Sequence, residues 1–336
     1  MTVSRATAVP ALKAAGYRPH ALHGPEAVWL EKNCYIDVWI ELVHALGLEP
    51  LAMLGFTLAV DFEGDQWTFF KPPHDELRDL YGIDVQELTV WRPLIEHALE
   101  HLAAGKLIGT EADAFWLPDT AGTDYRNNHV KTTILLADVD LDARRLGYFH
   151  NGGYFELGGE DFTRLFRLDV GPDPSFLPLY AELIHVDRLQ RLAPDVLAAR
   201  SFDRLRRHLA RRPARNPVRR FGDSFAQNLP QLQARGLPYY HAWAFAAIRQ
   251  AGAAYDLTAA HLRWHATRGA GELQSALTAA AECFDLISQG HKALILKGAR
   301  AVNSGRPFDA APMFADMAGA WDRGMGLLTE AIAQPA

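Results

Sequence analysis

Asn33-Cys34-Tyr35-Ile36-Asp37-Val38-Trp39-Ile40-Glu41-Leu42-Val43-His44-Ala45-Leu46-Gly47 is the stretch on which the reading of the fold turns. Val38, Leu42, Val43 and Leu46 recur at helical spacing, and Gly47 supplies a stop. Asn33 is a good N-cap, because its side-chain oxygen can accept from the open amides of the first turn. The Cys34 thiol then falls in that first turn, where the positive end of the helix macrodipole favours the ionised sulfur. Such a sulfur is a nucleophile if a base stands within reach. On position alone, the alternative is a small apolar core residue, a common fate of free cysteine.

Outward from this helix, the first half mixes helices and strands. Residues 58–62 and 66–70 read as strands closed by Pro72-Pro73, and 75–81 as a short helix ended by Gly82. Residues 94–102 form a longer helix that Gly105 terminates. The pattern then turns to strands at 106–110 and 112–117, followed by a polar loop at 118–128. His129 opens a strand at 130–137, a return strand covers 146–150, and 154–157 follows the Gly152-Gly153 turn. A short helix runs to Phe166.

From Gly171-Pro172-Asp173-Pro174 the chain becomes rich in alanine, leucine and arginine. Helices are expected over 194–211, 217–236, 240–268, 271–305 and 312–333, with Gly290 interrupting the fourth. The fold class is therefore α+β: a domain of helix plus antiparallel sheet over residues 20–170, then an α-helical domain over 171–336.

Bulk properties narrow the function. A chain of 336 residues is long for one core, which favours two domains. A net charge of -6 argues against a nucleic-acid partner, whose footprint is basic. Two cysteines make no disulfide framework and point to a reducing cytoplasm. Residues 1–16 lack the apolar core of a signal peptide, and no apolar run approaches the roughly 20 residues that cross a bilayer, so no membrane role is expected. Neither a phosphate-binding GxxxxGK[ST] loop nor a dinucleotide fingerprint is present. Asp61, Glu63 and Asp65 with His74, or His129 with His150 and Asp113, are the sets from which a metal site could be drawn. Neither has the spacing of a known motif, so the first reads as a solvated loop and no metal is expected.

A cysteine nucleophile needs a base and a group to orient that base. His129 stands at the entrance to a strand after a long polar loop, and Asn151 follows one hairpin later. Cys34, His129 and Asn151 thus occur in the chain order and element order of a papain-type site. His150 is a second candidate orienter or base, and Asn151 before two glycines is also ordinary turn chemistry. Asn33, the Cys34 amide and Gln66 are candidate oxyanion donors, and Asp119, Asp124 and Tyr125 candidate substrate contacts from the loop before His129. Cys283, among Ala280, Ala281, Phe284 and Leu286, reads as core.

The stretches Asn33-Cys34-Tyr35, Gly105-Lys106-Leu107-Ile108, Asp113-Ala114-Phe115-Trp116-Leu117-Pro118 and the strand headed by His129 resemble the N-terminal domain of the butirosin-biosynthesis acyltransferases, papain-like relatives of bacteriocin-processing cysteine peptidases. The whole chain also resembles an uncharacterised bacterial family. Its marks are 33–47, Asp61-Phe62-Glu63-Gly64-Asp65-Gln66-Trp67, Asp119-Thr120-Ala121-Gly122-Thr123-Asp124-Tyr125 and Ala301-Val302-Asn303-Ser304-Gly305-Arg306.

The first resemblance implies a papain-like fold and transfer of an acyl group from the phosphopantetheine thiol of a carrier protein to an amine, with no other cofactor. The second points the same way, through an association with ligases that load amino acids onto carrier proteins. Two departures stand against the transfer: no glutamine precedes Cys34 as oxyanion donor, and His150-Asn151-Gly152 replaces the Asp-Pro of the peptidases. A cysteine hydrolase and a non-catalytic binding protein are the rival readings. Arg206, Arg207, Arg211 and Arg212 lie in the chain's one basic concentration, a docking patch for an acidic carrier protein or simply a solvated helix face.

Overall fold

The structure is a computed structural model that describes residues 4–171 and 179–333. It is α+β, with an antiparallel sheet in the first half and helices after it. The chain divides into two compact units, the first being 1–25, 33–50 and 73–192 and the second 26–32, 51–72 and 193–336. Pro172, Asp173 and Pro174, which mark the expected domain boundary, lie outside the described residues.

The first unit is built on β1 (Arg5–Thr7), β4 (Asp84–Glu87), β5 (Lys106–Asp113), β6 (Lys131–Asp140), β7 (Arg145–His150), β8 (Gly153–Gly158) and β9 (Ala181–His185). The strands run antiparallel in the order β4-β9-β5-β6-β7-β8, with β1 paired to residues 138–140 of β6. Helices α1 (Cys34–Ala45), α2 (His74–Tyr81), α3 (Leu94–Ala103) and α4 (Glu160–Leu165) complete it.

Alternation along β6 sorts its side chains. Ile134 and Leu136 join Ile95, Ala98, Leu99 and Leu102 of α3 in one buried cluster. Thr133 and Leu135 consequently point to the opposite side, where α1 packs. The hairpin of β7 and β8 closes in two residues, with Asn151 in the left-handed region at φ 44°.

Sequence patterning places α1, α2, α3 and strands β5 to β8 within a few residues of their observed ends, except that the strands expected at 106–110 and 112–117 are the one strand β5, followed by a 3-10 turn at Ala114–Trp116. It does not find β1, β4 or β9. These are short, and β9 is buried at all five positions, so it shows no alternation to read. The expected strand at 58–62 is instead a run of 3-10 turns over Pro50–Ala59, followed by the two-residue β2 (Phe62–Glu63), paired with β3 (Gln66–Trp67). Short apolar runs do not distinguish these conformations.

The second unit holds that small hairpin and α5 (Pro194–Ala210), α6 (Pro217–Arg235), α7 (Leu237–Ala244), α8 (Gln250–Ala266), α9 (Gly271–Ser304) and α10 (Ala311–Ala333). A π-helical turn at Phe245–Arg249 divides the helix expected over 240–268. Gly290 does not interrupt α9. A Cβ there would lie 2.5 Å from Met317 Sδ, so the glycine allows α10 to approach closely. Arg220 pairs with Asp61, which ties α6 to the hairpin and accounts for one of the loop carboxylates.

Two expectations follow. Gly82 closes α2 at φ 73°, and an added Cβ would meet the Arg188 carbonyl oxygen at 2.4 Å. Gly82→Ala should cost about 1–3 kcal/mol, read as a lower urea midpoint at unchanged slope. In the second unit, burial pushes the pKa of His261 down to about 4, His265 to about 2 and His291 to about 4. Below about 6.5 the unfolded chain binds protons that these native rings refuse. Their contribution is therefore complete above pH 6.5 and diminishes as the pH falls toward 4. The urea midpoint should drop across that window, and less steeply in His291→Gln.

Candidate active site at the head of α1

Asn33 caps α1 as its sequence position predicts, accepting from the amides of Tyr35 at 3.0 Å and Ile36 at 2.9 Å. Cys34 is the first helical residue and is half-buried. Its sulfur accepts a hydrogen bond from the Thr133 hydroxyl at 3.6 Å. Across the β5–β6 ladder Thr133 faces Glu111, which pairs with Lys131 at 3.1 Å.

Buried polar networks flank the cysteine along α1. The Tyr35 hydroxyl donates to the Glu182 carboxylate at 2.8 and 3.0 Å, and Tyr180 donates to the same group at 2.8 Å. Since the Tyr35 hydrogen is committed to Glu182, His74 Nε2 is the donor in its 2.9 Å contact with the Tyr35 oxygen. Burial, and then the neighbouring Glu182 charge, push the Tyr35 phenol well above its ordinary pKa.

Asp37 and Glu41 follow Cys34 at helical spacing on one face of α1. His23 bridges them, Nε2 to Asp37 at 3.0 Å and Nδ1 to Glu41. Glu41 also accepts from the Tyr17 hydroxyl at 2.6 Å and from the His20 amide at 3.1 Å. Both His23 nitrogens thus lie against carboxylates.

Among the described residues, no hydrogen bond joins Cys34, His129 and Asn151. His129 Nδ1 bonds to Asp113 at 2.6 Å, and its ring stacks on Phe115 at 4.3 Å. Four residues of largely extended chain, up to about 13 Å, separate it from Thr133. The orienting partner of His129 is therefore Asp113 rather than Asn151, which occupies its hairpin turn.

His150 is buried and held by Asp119 at 2.6 Å and Thr132 at 2.8 Å, with Tyr148 donating to the same Asp119. Tyr125 is engaged by Asp161, and Asp124 accepts from Asn128, so the loop residues expected to meet substrate organise the loop itself. Gln66 lies on β3 of the second unit. Among the described residues, no three His, Cys, Asp or Glu side chains are grouped to hold a metal ion. Arg206 pairs with Asp203, Arg212 donates to the Leu209 carbonyl, and Arg207 and Arg211 are exposed.

The DUF1839 N-terminal domain matches residues 18–186, and the DUF1839 C-terminal domain residues 194–330. The chain belongs to the DUF1839 family. The junction of its two domains, at 187–193, agrees with the end of the first unit at Leu192. No curated protein matches the chain, and the finer likeness to butirosin acyltransferases has no match behind it. Among the described residues of this DUF1839 protein, no helix is long and apolar enough to cross a membrane.

The networks of His23 and Glu182 escape the sequence reading, although one signal was present. Asp37 and Glu41 sit within a helix whose other positions are nearly all apolar, and a buried carboxylate demands partners. The Thr133 hydroxyl donates to the sulfur that an alkylating reagent would attack. Thr133→Val should slow iodoacetamide labelling of Cys34 on the order of 3-fold, as expected for one hydrogen bond. His129→Ala should leave that rate within about 2-fold, because the imidazole is engaged by Asp113 and makes no hydrogen bond to the sulfur.

Proposed function

We propose that the DUF1839 protein is a cysteine-dependent acyltransferase built on a papain-like first unit, with Cys34 as nucleophile. The observation that carries this reading is the half-buried thiol at the capped head of a 12-residue helix, with a hydroxyl donating to it. The donor it favours is a thioester. Expelling an amine from an amide requires a proton donor at the leaving nitrogen, usually an imidazole beside the sulfur. Thioester exchange releases one thiolate as another attacks and needs no such acid. A site with Thr133 at the sulfur and His129 on Asp113 suits the second reaction better.

The Cys34 thiolate attacks the thioester carbonyl, and the tetrahedral oxyanion is met by the Cys34 amide. That amide has no hydrogen-bond partner among the described residues, whereas the next two serve the Asn33 cap. The carrier phosphopantetheine thiolate leaves, giving acyl-Cys34. An amine then attacks the new thioester, loses a proton to solvent, and expels the Cys34 thiolate. No resident cofactor is required. The reaction belongs in the cytoplasm, where the thiol stays reduced. Exposed Arg206, Arg207 and Arg211 offer an acidic carrier protein a positive docking face.

Incubation of the full chain with alanyl-pantetheine should add one alanyl mass to Cys34, and Cys34→Ala should abolish both the adduct and transfer to glycine amide. Full transfer by Cys34→Ala would remove the mechanism. Product formed at the same rate without an amine would make the protein a hydrolase. A second reading, a papain-like binding protein without catalysis, is favoured by Thr133 standing where a base would be needed. It predicts no adduct and ordinary alkylation of Cys34.

A further inference from the structure

Beside Cys34, the side of the sheet that faces α1 changes from closed to open. Gly109 of β5 and Leu135 of β6 are cross-strand partners and buried, whereas the next pair on that face, Glu111 and Thr133, is partly exposed. Thr133 carries the sulfur contact at 3.6 Å. Glu111 stands directly opposite Thr133, and the Cβ atoms of such a pair lie about 5 Å apart. Given the acyl-transfer reading, on which this step rests, we infer that the Glu111 carboxylate is the acceptor-binding group of the Cys34 site. The acceptor class it takes is a cationic amine, bound as its ammonium ion.

Glu111 differs from the other carboxylates on this face in having room for a new partner. Asp113 accepts from the Phe115 amide at 3.1 Å and is held by His129 at 2.6 Å. Glu182 accepts from Tyr35 at 2.8 and 3.0 Å and from Tyr180 at 2.8 Å. Among the described residues, no hydrogen bond reaches the Glu111 carboxylate. Its ionic neighbour is Lys131, which approaches Oε1 at 3.1 Å, and the two side chains are 35% and 65% exposed. A pair so open to water contributes little, so an entering cation displaces the lysine at small cost. An ammonium ion brings both a charge and three donors to this carboxylate. An anionic acceptor is repelled, and an uncharged one makes only the weaker, neutral hydrogen bond.

The same carboxylate serves the bond-forming step. The bound ammonium gives one proton to solvent, and the freed lone pair attacks the acyl carbon of acyl-Cys34. As the C–N bond forms, the carbonyl π pair moves to oxygen and the nitrogen becomes cationic again. Glu111 then faces positive charge that develops in the transition state, which is where a preplaced counter-charge lowers a barrier. Collapse of the intermediate breaks the C–S bond, and its electron pair leaves on the Cys34 sulfur. The remaining extra proton passes from nitrogen through Glu111 to solvent, leaving the amide and the thiolate.

The test begins with the full chain carrying the alanyl adduct on Cys34. Its discharge is followed at neutral pH with methylamine, which is cationic there, and with hydroxylamine, which is not. Glu111→Gln should raise the half-saturating methylamine concentration about 10-fold, the loss of one charge-assisted hydrogen bond, and leave discharge by hydroxylamine within about 2-fold. Lys131→Gln should lower the half-saturating methylamine concentration about 3-fold, because it frees the carboxylate. A merely structural ion pair would respond in the same direction to loss of either member. Both side chains reach solvent, so neither replacement disturbs a packed core. Methylamine discharge unchanged in Glu111→Gln, or shifted the same way by both variants, would overturn the role of Glu111 and leave acyl-Cys34 standing. Failure of the unsubstituted chain to form the adduct would overturn the acyl-transfer reading and the role of Glu111 together.

Discussion

Helix α1 is buried on nearly every side, yet it carries the carboxylates of Asp37 and Glu41 and the hydroxyl of Tyr35. A carboxylate taken out of water without partners costs several kcal/mol, so each of these groups must be met within the protein. Their partners come from separate stretches of the first unit. His23, Tyr17 and the His20 amide precede the helix, His74 begins α2, and Glu182 and Tyr180 belong to the last strand and its approach. Satisfying one helix thus draws together the N-terminal segment, α2 and β9. The head of that helix, where Cys34 sits, is fixed as a consequence.

A helix head held this firmly suits chemistry that depends on position. The cap engages the amides behind the cysteine, the sulfur rests on a β6 hydroxyl, and Tyr35 is anchored to the sheet through Glu182. Removing rotational freedom from a nucleophile before substrate arrives is one way enzymes lower a barrier. The same rigidity restricts what the thiol can do. With a threonine beside it, the sulfur suits the proposed exchange between thioesters, whose leaving group would need no proton.

His129 shows how a histidine at a strand entrance finds its partner. It precedes β6, and the antiparallel ladder sets Asp113 opposite Lys131, two residues away. The turn that follows β5 then presents Phe115 as a stacking surface. Local geometry of the β5–β6 ladder and its following turn thereby holds the imidazole. His150 is claimed in the same way, because its neighbours on the pleat bring Thr132 within reach and the loop returns Asp119 to its other nitrogen.

Local signals in the chain decide much of this protein. The Asn33 cap and Gly47 stop set α1, Gly82 and Gly105 close the next helices, and β-rich runs bounded by turn residues mark the central strands at 131–140 and 145–158. Such features depend on a few neighbouring residues and on the periods of helix and strand, so they can be read without the rest of the fold. Pairings between distant segments cannot. The Tyr35–Glu182 bond spans 147 residues, β9 joins the sheet at a place its own five buried residues do not reveal, and segments 26–32 and 51–72 belong with the C-terminal helices. One residue of register separates the two faces of a strand. Whether Cys34 meets Thr133 or His129 is therefore settled by tertiary packing, and no spacing in the sequence expresses it.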